Sequence, residues 1–350
     1  MCRKWRVWCG WRSSVLPVGR YPPDVPSPPT YAAALRDAIA DVTRGVGSAQ
    51  LAAATEALIG RYRTVAPAGP PILDSAERVA AYAAYRMPAT HAALARVLGT
   101  VAATGLAPGS LLDLGGGTGA AAWAAAEAFT SLTTITVLDQ AEEALRLGQR
   151  LVESAPVEAL RLARFERAVE GAWPKRSADL VTVSYVLSEL TADQQRGLVA
   201  DAMARGQAVV IVEPGTPDGY QRILKARNAI REAGWQLLGP CPHALECPLH
   251  AGDWCHFAAR VNRSAEHRRI KGGELSYEDE KFAWVAGARP GVVAGQPISG
   301  RVLRHPLKRK GFVEFQVCRT EGSAGREVIS KKEGDRYRKA RDVEWGDELP

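Results

Sequence analysis

The decapeptide SLLDLGGGTG, residues 110–119, joins a short apolar run to a cluster of glycines. An alanine-dense segment, AAAWAAAEAF at 120–129, follows at once and has the composition of a helix. Short apolar runs that stop in glycine are typical of buried strands. The two segments therefore predict a strand, a tight loop and a helix in direct succession.

Four more β-rich segments follow, and helical patterns separate most of them. These segments are LTTITVLDQ (132–140), RLARFERAVEG (161–171), ADLVTVSYVLSEL (178–190) and QAVVIVEPGTP (207–217). Strands that alternate with helices at this spacing form parallel sheets, because a crossover helix returns the chain to the same end of the sheet. The expected fold class is α/β, with a Rossmann-like, doubly wound sheet covered by helices on both faces.

The regions on either side of this sheet have different patterns. Residues 30–107 carry apolar residues at helical spacing and predict a helical N-terminal region. The sheet domain is assigned to residues 108–238. Residues 239–350 combine cysteines, short apolar stretches and basic runs, which predicts a small, cysteine-rich C-terminal domain that contains β-strands.

The first 29 residues are Arg-rich and acid-poor, and then Pro-rich. A mitochondrial transit peptide has such a composition, but the Trp-rich run forms no clear amphipathic stripe. A disordered extension or an upstream start codon remains the alternative. We therefore interpret residues 1–29 as a disordered or targeting extension, and expect a cytoplasmic protein, with the mitochondrial matrix as the alternative location.

Composition limits the class of partner. No apolar run approaches the roughly 18 residues of a membrane span, so we expect a soluble protein with no membrane partner, acting as a monomer. Forty-five Lys and Arg against 38 Asp and Glu give a net charge of +7 and a pI near 9.2. This excess is compatible with a partner made of phosphate.

The glycine cluster predicts a cofactor site. Gly115, Gly117 and Gly119 form a GxGxG loop in which backbone amides can approach a ligand at the positive end of a helix. The loop differs from the GxGxxG dinucleotide fingerprint and lacks the Lys-Ser/Thr ending of a Walker A site. Asp139 ends the next predicted strand, where a carboxylate can accept hydrogen bonds from ribose hydroxyls. Alternatively, the glycines only make a tight turn and Asp139 caps the next helix.

This succession of strand, GxGxG loop, helix and strand-ending acid resembles class I S-adenosylmethionine methyltransferases over about residues 108–235. The resemblance implies S-adenosyl-L-methionine as the cofactor. Whether the chain is an enzyme is a separate question, which the cofactor motif leaves open.

Further candidates for cofactor contacts lie at the ends of predicted strands. Asp113 precedes the glycines and could position the methionine part of the ligand or form a structural turn. Ser184, Tyr185 and Glu189 follow the fourth strand, and Glu213 closes the fifth, at the edge where ligands bind in open α/β sheets. The sequence has neither an Asn-Pro-Pro-Tyr motif after the fourth strand nor a cysteine near the sheet, so no catalytic residue is assigned.

Four cysteines in the C-terminal part predict a metal centre. Cys241, Cys247 and Cys255 share one short segment, and Cys318 lies on a predicted strand. Four thiolates can bind zinc or an iron–sulfur cluster, and spacings looser than CxxC favour a cluster. His243, His250 and His256 could replace a thiolate in a zinc site, and buried free thiols are the remaining alternative.

Several motifs together resemble the Rsm22 family of methyltransferase-like assembly factors of the mitochondrial-type small ribosomal subunit and their bacterial relatives. They are AYAAYRMPAT (81–90), the glycine loop, SYVLSEL (184–190), VEPGTPDGYQRILKAR (212–227), CPHALECPLHAGDWCHF (241–257), YEDEKFAWV (277–285) and YRKARDVEWGD (337–347). The resemblance implies S-adenosylmethionine binding and association with small-subunit ribosomal RNA. It also implies a [4Fe-4S] cluster, whose ligands would be Cys241, Cys247, Cys255 and Cys318.

Three basic runs in the last third of the chain agree with an RNA partner: EHRRIKGG (266–273), RVLRHPLKRKG (301–311) and KKEGDRYRKAR (331–341). Arg268, Arg269, Lys308 and Arg309 are the predicted phosphate contacts. Two functions remain open at this point. The chain is either a methyltransferase acting on ribosomal RNA or protein, or a non-catalytic binding module with a methyltransferase-like fold.

Overall fold

The computed structural model describes residues 30–64, 73, 75–250, 252–262, 277–294 and 298–350. Four helices occupy the N-terminal region, as predicted: α1 (Tyr31–Thr43), α2 (Ser48–Thr64), α3 (Ala76–Tyr85) and α4 (Met87–Ala102). Thr30 and Ser75 cap α1 and α3 by accepting backbone N–H groups. Pro88 stands in the first turn of α4, where its missing N–H costs no helical hydrogen bond, so it begins this helix instead of kinking it.

A mixed main sheet follows in the order β3-β2-β1-β4-β5-β8-β6, with β7 also paired to β8. Its strands are β1 (Ser110–Leu114), β2 (Thr134–Asp139), β3 (Arg164–Arg167), β4 (Ala178–Ser184), β5 (Gly206–Pro214), β6 (Gln236–Gly239), β7 (Phe257–Asn262) and β8 (Tyr277–Ala288). The first five are parallel, which confirms the predicted α/β sheet. Strand β8 runs antiparallel to β5, β6 and β7.

Five helices connect these strands: α5 (Ala120–Ala128), α6 (Glu142–Val152), α7 (Glu158–Arg161), α8 (Ala192–Arg205) and α9 (Pro217–Glu232). Alternate residues of β1 face the two sides of the sheet. Leu111 packs into a core with α1, α4, α5 and α6, whereas Leu112 and Leu114 pack into a core with α8 and α9. Every residue of α5 from Ala120 to Ala126 is buried, because small side chains let this helix approach both the sheet and α4.

Strand β8 differs from the sequence-based division at residue 239. Its second half, from Phe282 to Ala288, is buried between β5 and β6, so part of the predicted C-terminal domain belongs to the main sheet. The first half, from Tyr277, alternates in exposure and pairs only with β7. One strand thus carries two burial patterns, alternating exposure in its first half and continuous burial in its second.

A second, smaller antiparallel sheet contains β9 (Gly300–Val302), β10 (Leu307–Arg309), β11 (Phe312–Arg319) and β12 (Ala324–Ser330). Val313, Phe315 and Val317 of β11 face a core closed by α10 (Asp335–Ala340) and the C-terminal tail. Tyr337 and Val343 are buried in this core, whereas Trp345 reaches the core of the main sheet. The predicted strands of the C-terminal part are therefore present.

Among the helices that the structure describes, none is both long enough and apolar enough to cross a membrane.

The N-terminal helices are tied to β8 by an ion pair. Arg86, between α3 and α4, donates through both terminal nitrogens to the carboxylate of Glu280, at 2.7 Å each. The two side chains are only 29% and 12% exposed, so the pair is shielded from water. Such a bidentate contact fixes orientation as well as distance.

We expect Glu280→Gln to lower the free energy of unfolding by about 1–3 kcal/mol, because the Arg86 charge would stay partly buried without its partner. The adjacent Asp279 forms an exposed ion pair with Arg260, with side chains 37% and 61% exposed, and provides a matched control. Asp279→Asn should cost less than about 0.5 kcal/mol. Urea denaturation measures both variants, and equal losses would contradict the structural importance of the Arg86 pair.

Candidate cofactor site and cysteine cavity

The glycine loop has a backbone that side chains would disturb. Gly115, Gly117 and Gly119 have φ values of 71°, 53° and 84°, in the left-handed region that glycine adopts without strain. At Gly116, which completes the turn, an added Cβ would lie 2.1 Å from Asp113 Oδ2. The amides of Gly115, Gly116, Gly117 and Gly119 donate to protein acceptors, so the N–H groups without intrahelical partners next to the loop are those of the first turn of α5.

Asp139 connects this loop to the next helix. Its Oδ2 accepts the Gly117 N–H at 2.8 Å, and its Oδ1 accepts the Ala141 N–H, at the start of α6, also at 2.8 Å. Burial raises the pKa of Asp139, and the backbone hydrogen bonds oppose that effect. Asp139 therefore lies between the start of α6 and the cavity described next. Each carboxylate oxygen retains a second lone pair for a ligand.

A cavity of about 700 Å³ opens at the carboxyl edge of the sheet. Of the predicted cofactor residues, it is lined by Gly115, Gly117, Asp139, Ser184, Tyr185 and Glu189. Its other walls include Tyr82, Arg86 and Thr90 of the N-terminal helices, together with Glu170, Trp173, Asp218 and Arg222. The volume lies in the range typical of small-molecule sites.

The other three predicted cofactor residues lie outside this cavity lining. Asp113 is fully buried below the loop, accepts the Thr182 hydroxyl at 2.7 Å, and has a pKa that burial raises to about 7. Gly119 lies against Phe165 at the start of α5. Glu213 is also fully buried and accepts the Leu187 N–H.

Glu213 supports the cavity wall indirectly. Burial raises its pKa to about 7, although the Arg222 guanidinium, 2.7 Å away, opposes this shift. Arg222 itself lines the cavity. Both carboxylates point into the protein. Asp113 therefore supports the glycine loop from below, and Glu213 holds Arg222 in the cavity wall.

Tyr185 has the only left-handed backbone among the described non-glycine residues, with φ of 60°. Its hydroxyl donates to Glu280 at 3.2 Å, and the Arg86 guanidinium lies 5.4 Å from its ring centre. Strained conformations of this kind persist where surrounding contacts hold them, often at functional sites. Tyr185, Arg86 and Glu280 therefore form one fixed wall of the cavity.

From the sequence, Arg86 is equally suited to helix packing and to a ligand or RNA surface, and neither Tyr82 nor Trp173 is predicted at the site. Tyr82 and Arg86 come from the helical region, far in sequence from the glycine loop. The AYAAYRMPAT motif was a signal for them, because aromatic and basic residues interrupt an otherwise alanine-rich helix there.

The four predicted metal-binding cysteines line one small cavity between α9, the loop after β6, and β9 and β11. Cys241, Cys247 and Cys255 come from the loop, and Cys318 comes from β11. All four are free thiols. The structure thus brings together residues separated by up to 77 positions, since the group runs from Cys241 to Cys318.

Hydrogen-bonding groups face these sulfurs. Arg227 Nε of α9 lies 3.1 Å from Cys241 Sγ, and the Tyr220 hydroxyl lies 3.1 Å from Cys247 Sγ. Burial raises the pKa of Cys241 and of Cys255, and raises the pKa of Cys318 to about 12. Neighbouring thiols add to the shift in all three, which places the four sulfurs within electrostatic reach of each other.

Protein contacts already hold the cysteine loop. Arg227 is 2% exposed and donates to the carbonyls of His243 and Leu245, and Arg301 donates to the carbonyl of Pro240 at 3.0 Å. Trp254 donates its indole N–H to the carbonyl of Gly215 at 3.0 Å. Hydrogen bonds from buried arginines and from Trp254 therefore order this loop without any metal–thiolate bond.

The three histidines are not among the residues lining the cysteine cavity. His243 Nε2 lies 3.3 Å from Cys318 Sγ, and His250 is exposed. His256 stacks on Trp254 and meets Trp345 edge to face. Within the described residues, no three His, Cys, Asp or Glu side chains converge as they would around a single metal ion.

The predicted RNA contacts differ in their surroundings. Lys308 forms an ion pair with Glu344 at 2.8 Å, whereas Arg309 is exposed. Arg268 and Arg269 lie outside the described residues.

The fold is that of class I S-adenosylmethionine methyltransferases. Its defining features are the strand order, the antiparallel β8, the glycine loop after β1 and the acid that ends β2. The chain belongs to the family described as mitochondrial small ribosomal subunit Rsm22, whose model matches residues 76–350. The resemblance seen in the sequence is thereby confirmed.

Two relatives and one solved structure illustrate the similarity. The human mitochondrial ribosome assembly protein METTL17 is 29% identical over 291 residues, which cover 77% of this chain and 62% of that protein. The fission yeast Rsm22-cox11 tandem protein 2, also mitochondrial, is 26% identical over 221 residues, or 50% of this chain and 29% of its own. An O-methyltransferase family protein from Burkholderia thailandensis is 14% identical, with a TM-score of 0.38 and coverage of 61% and 60%. The chain therefore spans less than two thirds of the length of both relatives.

Proposed function

We propose that the chain is an S-adenosylmethionine-binding, methyltransferase-like protein that associates with small-subunit ribosomal RNA and supports assembly of the small ribosomal subunit. The observation that carries the cofactor part is the cavity of about 700 Å³ lined by Gly115, Gly117 and Asp139. Membership of the Rsm22 family supports the ribosomal part, as does the name of the human relative, a ribosome assembly protein.

The cavity has suitable chemistry for this cofactor. Amides at the start of α5 can receive the carboxylate of the methionine part, because helix N-termini favour anions. Asp139 can accept ribose hydroxyls through its remaining lone pairs. Glu170, Glu189 and Asp218 add acidic groups to the lining, which suits a ligand that carries a sulfonium and an ammonium.

Gly117→Arg should abolish binding of S-adenosylhomocysteine, the demethylated product, while leaving the protein folded. A Cβ at this position would meet only Asp139 Oδ2, at 3.8 Å, so a long side chain has room to extend into the cavity. Gly105→Arg is a matched control, because Gly105 also has a positive φ, of 90°, and has no atom near its Cβ position. Calorimetry should show loss of binding only in Gly117→Arg, and unchanged affinity there would refute the assignment.

Methyl transfer is the more specific of two candidate activities. Glu189 borders the cavity, and burial, followed by the charges of Asp139 and Glu213, raises its pKa to about 7. A carboxylate with this pKa can accept a proton near neutral pH. In the enzyme alternative, Glu189 is therefore the candidate proton acceptor.

Methyl incorporation into purified immature small subunits would distinguish the two activities. We expect labelled methyl groups to appear in RNA or protein with the wild-type chain, and incorporation to fall at least about tenfold in Glu189→Gln, which keeps the shape of the side chain but cannot accept a proton. Subunit association without any incorporation, together with intact cofactor binding, would establish the binding-module alternative.

We further propose that the four cysteines bind a [4Fe-4S] cluster, with zinc as the alternative. Support comes from the donor set, since four thiols line one apolar cavity and hydrogen-bonding groups face two of them. The cavity that these thiols line is small, with a volume of about 30 Å³. A cluster is larger, so the loop of Cys241, Cys247 and Cys255 would have to move outward to receive it.

Anaerobic purification followed by iron, sulfide and zinc analysis tests this centre. We expect about four irons and four sulfides per chain, and loss of most of the iron in Cys318→Ser, because Cys318 is the one ligand supplied by the second sheet. Stoichiometric zinc without sulfide would instead establish the zinc alternative. Full iron retention in Cys318→Ser would remove this residue from the ligand set.

The relatives also bear on location. The human and fission yeast proteins are both named as mitochondrial, which supports the matrix alternative over the cytoplasmic location expected from the sequence. Residues 1–29, which carry the proposed targeting signal, lie outside the described residues.

A further inference from the structure

One face of the second sheet packs on α10 and the tail, whereas the opposite face is buried at Cys318, in the cysteine cavity, and exposed or partly exposed at Phe312, Glu314 and Gln316. Val313, Phe315 and Val317 of β11 point into the core under α10 and the tail, so the alternate residues Phe312, Glu314 and Gln316 point to the opposite side. We call this opposite side the outer face. The strand register places Leu307, Arg309, Arg326, Val328 and Ser330 on the same face.

Apolar side chains are exposed in the middle of the outer face. Leu307 of β10 and Val328 of β12 flank Glu314 of β11 and are 43% and 40% exposed. Phe312 is the neighbour of Glu314 on the same face of β11. It lies between Arg309 and Ser330 and is partly exposed. The face therefore offers an aromatic ring between apolar and basic neighbours.

Positive charge gathers at the end of this face. Lys331 donates its backbone N–H to the carbonyl of Gly311 at 2.8 Å, which brings Lys331 and Lys332 beside the turn that contains Lys310. Two basic runs that are distant in sequence thus meet next to Arg309. All four side chains are exposed, and none of them is in an ion pair within the part of the chain that the structure describes.

The acidic groups near this end are already neutralised. Glu314 on the outer face pairs with Arg326 at 2.8 Å, and Glu333 pairs with Arg336 at 2.9 Å. Lys308, by contrast, alternates to the inner face and pairs with Glu344. The uncompensated charge is therefore that of Arg309, Lys310, Lys331 and Lys332.

We propose that the outer face binds single-stranded RNA, with an unpaired base stacked on Phe312 and the adjoining phosphates held by Lys310, Lys331 and Lys332. Sheet faces with an exposed aromatic ring and basic surroundings suit unpaired bases, whereas a duplex offers a protein mainly its backbone. This inference rests on the proposed association with ribosomal RNA and specifies its substrate class and surface. In this proposal Lys310, Lys331 and Lys332 bind the phosphates, and Lys308, a contact predicted from the sequence, does not.

The test uses the full chain and a fluorescently labelled RNA of about 15 nucleotides, either single-stranded or annealed to its complement. We expect the single strand to bind more tightly than the duplex. Phe312→Leu should weaken single-strand binding about tenfold, and Phe312→Tyr, which keeps the ring, should not. Melting temperatures of both variants verify the fold.

A charge experiment examines the phosphate contacts separately. The triple variant Lys310→Ala, Lys331→Ala, Lys332→Ala should reduce the slope of log affinity against log salt by about 2, because each phosphate that a lysine neutralises on a single strand accounts for about 0.7 of that slope. The triple variant Arg44→Ala, Arg146→Ala, Arg196→Ala changes the net charge equally at exposed, ion-paired helix positions and should leave the slope unchanged.

The outcomes separate this surface from the broader function. If the wild-type chain binds neither RNA nor small subunits, the proposed function fails. If it binds RNA but Phe312→Leu and the lysine variant behave as wild type, the outer face is not the site. If Phe312→Leu reduces association with small subunits and leaves RNA binding intact, the face contacts a protein and the inference is overturned.

Discussion

Strand β8 is the constraint on which the other parts of the molecule depend. Its buried half completes the main sheet between β5 and β6, where an antiparallel strand satisfies backbone groups that would otherwise form an exposed edge. Its polar half carries Glu280, which holds Arg86 and Tyr185 over the cofactor cavity. Trp284, in the buried half, lines the cysteine cavity and packs so close to Gly239 that no Cβ would fit there. The sheet edge and both cavities therefore take their positions from one strand.

Helix α9 gives the two cavities a common wall. Thr216, Asp218 and Arg222 border the cofactor cavity, whereas Tyr220 and Arg227 border the cysteine cavity. Residues at these spacings lie on different sides of a helix, so one rigid element faces both. Trp254 adds a second connection, because its indole N–H reaches the carbonyl of Gly215, next to Pro214 in the cofactor lining. A displacement of the cysteine loop would consequently shift residues that line the cofactor cavity.

The N-terminal helices complete the site as well as covering the sheet. Tyr82, Arg86 and Thr90 supply one wall of the cofactor cavity, and Arg96 of α4 donates to the carbonyls of Ala258 in β7 and Trp345 in the tail. A single helix therefore contacts the main sheet and the C-terminal segment. Because these contacts are hydrogen bonds from buried or half-buried arginines, they fix geometry in a way that apolar packing alone does not.

The local parts of this protein follow from short stretches of its sequence. Glycines at 115, 117 and 119 fix the loop, because their positive φ values strain any other residue, and the alternation of β-branched runs with helical patterns fixes the parallel sheet. The cysteine content identified the four thiols that share a cavity.

Other features of the site depend on contacts between residues that are far apart in the sequence, and only the folded structure shows them. Arg86 and Glu280 are 194 residues apart, and Lys331 meets the turn of Lys310 only because β11 and β12 pair. Asp113 and Glu213 lie at the predicted edge of the sheet, but both side chains point into the protein. The alternation of a strand fixes the face of the sheet on which a side chain lies. The hydrogen-bond partner, Thr182 for Asp113 and Arg222 for Glu213, fixes where that side chain points.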